Sequence, residues 1–130
     1  FMINSMYASY LGIPVVFLSG DKNLTEQVKA INSNIDTVAT KEGVHGAVIS
    51  KHPSVTNKEI GDVLKQALNK DLSNNLVPLP KKFEVEIEFR TSQEAYSSSF
   101  YPGCKLKDTD KIVFKTNDYY EALRMLKFTY

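Results

Sequence analysis

An uninterrupted apolar run, Pro14-Val15-Val16-Phe17-Leu18, passes through Ser19-Gly20-Asp21 into a stretch that repeats Leu24, Val28 and Ile31. A short continuous apolar run suits a strand covered on both faces. The repeat that follows has helical spacing. Strand, glycine turn and helix in that order point to an α/β chain. The same arrangement can cradle a phosphate, but that use needs several glycines, so that backbone N–H groups can approach the anion, and usually a Lys with Ser or Thr on the helix. Here Gly20 stands alone, and Asp21 would repel an anion. Gly20 therefore makes a turn, and Asp21 bonds the loop backbone or sits near the positive helix end.

The other elements follow from periodicity and caps. Ile3, Met6, Tyr7, Tyr10 and Leu11 form a helical stripe from about residue 3 to residue 11, and it is expected to pack against the sheet that holds Pro14 to Leu18. No Ser, Thr or Asp cap precedes this helix and Phe1 is not an initiator, so the chain is expected to be a fragment of a larger one. Capping boxes, in which two residues three apart satisfy each other's free backbone N–H groups, are expected at Asn23 with Glu26, Thr56 with Glu59, and Asp118 with Glu121. The second of these helices should bury Ile60, Val63, Leu64, Ala67 and Leu68, and the third Tyr119, Ala122, Leu123 and Leu126. Strands are expected at Thr37–Thr40 and Ala47–Ser50, around a turn from Glu42 to Gly46, and at Lys111–Lys115. Lys82 to Phe89 alternates cleanly, with Phe83, Val85, Ile87 and Phe89 on one face and Glu84, Glu86 and Glu88 on the other. Gln93 to Phe100 reads as a helix before a turn at Pro102-Gly103. The stretch 72–82, with Pro78 and Pro80 and no periodicity, is expected to link residues 1–71 to a small β-α-β-α sub-domain over residues 83–130. Both parts are mixed α/β.

Composition narrows the function classes. Sixteen Lys and Arg against 15 Asp and Glu give a net charge of +1, which is no footprint for nucleic acid. Arg90 and Arg124 are the only arginines, too few for a phosphate clamp built from guanidinium forks. No apolar run approaches the ~20 residues that span a bilayer. Cys104 is the only cysteine, which excludes an intrachain disulfide and fits a reducing, cytoplasmic setting. Zinc needs three or four ligands. His45 in a glycine turn and His52 before Pro53 read as loop residues rather than ligands, and HExxH is absent. The three glutamates of the alternating strand read as a solvated face, and Tyr96, Phe100 and Tyr101 as core or interface aromatics. Read from its residues alone, the chain offers no catalytic residue and no metal ligand.

An ordered series of short motifs adds a resemblance. Asn4, Gly12, Pro14, Val15, Gly20 and Asp21 come first, then Thr40-Lys41-Glu42-Gly43, Ala47 and Pro53. Val85-Glu86-Ile87-Glu88-Phe89, Pro102-Gly103 and Asp118-Tyr119-Tyr120-Glu121-Ala122 close the series. The sequence resembles the C-terminal half of DppA-type zinc-dependent D-aminopeptidases. The resemblance implies a metallopeptidase that removes N-terminal D-residues from short peptides and works as a ring-shaped homo-oligomer. It implies that residues 1–71 belong to the catalytic α/β domain. It also implies that the zinc ligands and catalytic groups lie outside this chain, the last ligand, a Glu, immediately before Phe1. Asn4, one helical turn from that position, is then expected to support a metal ligand rather than to bind metal. This chain departs from its relatives at His45-Gly46, where they often carry Arg followed by Ser or Asn. The rival expectation is a non-catalytic α/β module that binds a small ligand or a protein. A nucleotide-binding domain is a third.

Overall fold

The computed structural model describes residues 1–130, and the chain separates into two units, Phe1–Pro78 and Leu79–Tyr130. Each is mixed α/β with its own three-stranded sheet.

The first unit opens with α1 (Met2–Tyr10), which has no side-chain cap. Its buried residue is Ser5, whose Oγ donates to Met2 O at 3.0 Å, while Ile3 and Tyr10 stay 56% and 42% exposed. The expected apolar stripe is thus not the side that α1 buries. A small serine that bonds its own helix can be buried without an unpaired polar atom. Val77 N–H donates to the hydroxyl of Ser9, one turn further along α1.

The apolar run enters the sheet three residues later than expected. Strand β1 is Phe17–Asp21, not Pro14–Leu18. Pro14 has no N–H to give to a ladder, and the Val15 carbonyl accepts from Asn75 Nδ2 at 2.9 Å instead. None of the residues Pro14 to Leu18 is fully buried. Strand β1 pairs in parallel with β2 (Asp36–Val44), and α2 (Lys22–Ile31) makes the crossover between them. Strand β2 then pairs antiparallel with β3 (Ala47–Ser50). The five-residue turn expected from Glu42 to Gly46 contracts to His45-Gly46, with His45 at φ 53°. Helix α3 (Pro53–Leu68) follows. Val28, Ile35, Val38, Ala67 and Val77 are the buried apolar residues of this unit, whereas Leu68, expected inside, is exposed.

Of the stretch 72–82, residues up to Pro78 belong to the first unit. A short 3-10 turn, Ser73–Asn75, buries Asn75, whose amide also donates to Asn34 O at 3.2 Å. Asn32 Nδ2 in turn donates to Asn74 O at 2.9 Å, so asparagine amides tie this segment down where apolar contacts are few.

The second unit holds β4 (Phe83–Glu88), α4 (Ser92–Ser98), β5 (Lys105–Asp108), β6 (Lys111–Thr116) and α5 (Tyr119–Thr129). Its sheet order is β4-β6-β5, antiparallel throughout. Strand β5 is an addition to the expected β-α-β-α order. All four of its residues are exposed, so no apolar alternation marked it. Ile87, Ala95, Ile112, Phe114 and Met125 form the core, with Val85, Phe89, Tyr101, Cys104 and Leu126 packed against it. On α5, Tyr119 and Ala122 are buried as expected, and Met125 takes the deepest place.

Candidate functional site

Most of the groups that could do chemistry have a structural partner. A Cβ added at Gly20 would stand 2.9 Å from Leu24 Cδ2. Gly20 thus leaves room for the Leu24 side chain of α2, which would have to shift to admit a Cβ. Asp21 Oδ1 accepts from Leu24 N–H at 2.9 Å and caps α2, the place expected of Asn23. A carboxylate in that position repels a phosphate.

The histidines are apart in role as well as position. His45 is the exposed left-handed residue of the hairpin turn. His52 caps α3 in place of Thr56: its Nδ1 accepts from Ser54 N–H at 3.3 Å and lies 2.7 Å from Ser54 Oγ. Pro53 at the first helical position suits that cap, because its missing N–H would be unpaired there anyway. Glu59, the expected partner of Thr56, pairs with Lys51 Nζ at 2.5 Å.

The acidic face of β4 is neutralised residue by residue. Glu84 pairs with Lys115 at 2.9 Å and Glu88 with Lys111 at 3.2 Å, each directly opposite in the β4–β6 register, and Glu86 pairs with Lys107 on β5. The Lys107 bond holds the Glu86 carboxyl below its ordinary range. Such a ladder takes up all three carboxylates in ion pairs along one exposed face of the sheet. Cys104 packs against the second core, and burial pushes its thiol up. Nucleophilic attack needs the thiolate, so the setting of Cys104 is a packing one.

A zinc site takes at least three protein ligands. No group of three or more His, Cys, Asp or Glu side chains lies together here, so the donor set of this chain does not fit the metal that its resemblance implies. Asn4, in the first turn of α1, is exposed and lines an open depression with Phe1, Leu24, Gln27, Val28 and Ile31. The structure brings no other candidate residue to it.

Comparison with known proteins gives the chain a family. A model for M55 peptidases, described as D-aminopeptidase, matches residues 1–128. The chain belongs to the M55 D-aminopeptidase family. Among solved structures it is similar to the Zn-dependent D-aminopeptidase DppA from Bacillus subtilis, described as a self-compartmentalizing protease. The TM-score is 0.81 at 25% identity, over 98% of this chain and 47% of DppA. The chain thus spans about half the length of that relative. No curated protein matches it. No helix is long and apolar enough to cross a membrane.

Asp21 sits at the positive end of α2 as expected and takes the cap there instead of Asn23, in keeping with Asp as a common cap. The cap of α3 is His52 rather than the expected Thr56. The sequence does not mark His52, since imidazole is not among the preferred caps.

Proposed function

We propose that this chain is the C-terminal portion of a zinc D-aminopeptidase-like metallopeptidase that hydrolyses N-terminal D-residues from short peptides in the cytoplasm. In this reading residues 1–71, with the segment up to Pro78 packed on them, complete the catalytic α/β domain, and 83–130 form a separate sub-domain. The chain supplies scaffold and contacts between copies of a homo-oligomer. The zinc ligands lie outside residues 1–130, and no hydrolytic step falls to a side chain of this chain. One observation carries the reading: a D-aminopeptidase family model runs through residues 1–128, although no group of metal-ligating side chains lies among them.

Asn4 is the residue of this chain that the reading places nearest the metal centre, as a support for a ligand. Groups that orient metal ligands typically change affinity or activity by about 10–100-fold when removed. Full-length protein is expected to retain zinc through dialysis, and Asn4→Ala to lower metal affinity or turnover by about tenfold or more. Metal analysis and initial rates on the same preparations check this. Unchanged affinity and turnover would make Asn4 structural, and full-length protein without zinc would overturn the metallopeptidase reading.

A further inference from the structure

The hairpin of β2 and β3 has an open edge. Strand β3 lies at one end of the sheet order, and every residue from Gly43 to Ser50 is exposed, with Val48 62% and Ile49 64% exposed. The phase of its hydrogen bonds can be derived. The two-residue turn places Val44 opposite Ala47, and Lys51 N–H donates to Thr40 O at 3.2 Å. Antiparallel pairs alternate between bonded and non-bonded. The bonded pairs are therefore Val44 with Ala47, Glu42 with Ile49 and Thr40 with Lys51. The N–H and C=O groups of Val48 and Ser50 then face away from β2, outward from the sheet.

Natural edge strands are usually shielded by charge, proline or a bulge. Ala47-Val48-Ile49-Ser50 has no charge and no proline, and its register with β2 runs without a shift. We propose that β3 pairs antiparallel with β3 of a second copy of this chain, across a two-fold axis. The strand is self-complementary for such pairing, since no like charges meet within it and its outward groups offer a donor and an acceptor at each of two alternate residues. An isologous contact of this kind closes on itself and does not propagate. The proposal rests on the homo-oligomer reading above, which the description of DppA as self-compartmentalizing supports, and it names the segment that makes a contact between copies.

Light scattering after gel filtration tests this on the full-length protein, with Val48→Lys and Val48→Pro. Lysine sets a charge near its own symmetry mate. Proline removes the outward N–H and no bond inside the hairpin, a substitution that edge strands accept. Wild type should run at a multiple of the protomer mass. Both variants should run at half that mass or less, with unchanged circular dichroism, and should melt lower only by what association adds to the native state. Variants that keep the wild-type mass overturn the pairing. Loss of fold in both variants also overturns it, because the strand is then covered within its own chain. A monomeric wild type that cleaves D-peptides overturns the pairing and leaves the enzyme reading intact. A wild type that assembles through Val48 but cleaves no D-peptide supports the pairing and removes that reading.

Discussion

Replacing Ile112 by alanine is expected to destabilise the second unit by about 3–4 kcal/mol, within the range for large-to-small changes at packed sites. Ile112 is fully buried on the middle strand β6, opposite Ile87 of β4 and Leu106 of β5. Its neighbours belong to a sheet and to helices, so they can collapse only partly into the space left. The unit runs only from Leu79 to Tyr130. A core of that size rarely supplies more than about 3–5 kcal/mol, so the loss removes most of its stability. Urea denaturation followed by circular dichroism should show the lost stability, and Ile112→Val should stay within about 1.5 kcal/mol of wild type. An alanine variant as stable as the valine one would mean that this core is not packed as described.

Gly103→Ala is expected to cost about 2–4 kcal/mol in the same unit, from two separate causes. Gly103 sits at φ 89°, a conformation that opposes a Cβ. That Cβ would also stand 2.9 Å from Cε2 of Phe114, a core ring that has little room to move. The two effects act on one residue, so a variant that relieves only the second cannot restore the fold. Gly103→Ala with Phe114→Leu is expected to be less stable than Phe114→Leu alone, and thermal unfolding of those two proteins checks it. A Gly103→Ala protein as stable as wild type would contradict the backbone account.

The features legible in the sequence were those carried by one strong local signal. Strand β4 alternated without interruption, and the Asp118 cap of α5 is found, with its carboxylate accepting from Tyr120 N–H at 2.8 Å. Glu121 does not close a box there but pairs with Arg124. The capping box that does form, Thr91 with Glu94, has the same spacing but opens a helix of only seven residues, too short for a clear apolar stripe to mark it. Strand β5 was hidden because a polar edge strand has no apolar face to show. Helix α1 was misoriented because an apolar stripe gives a preference for burial but does not say what is available to cover it. The absence of a legible site has a related cause. Gly20, Asp21, His52 and Glu84 to Glu88 all carry functional-looking chemistry, and each is occupied by a turn, a cap or an ion pair. What pointed to a peptidase was an ordered series of motifs over the whole chain, and the family match covers the same span.

The proposed activity on D-residues is decided by initial rates of the full-length protein on D-Ala-D-Ala and L-Ala-L-Ala. Release of D-alanine is expected to be at least about 100-fold faster than of L-alanine, a difference of about 2.7 kcal/mol in transition-state stabilisation. Equal rates on the two, or cleavage of the L-peptide alone, would rule that activity out.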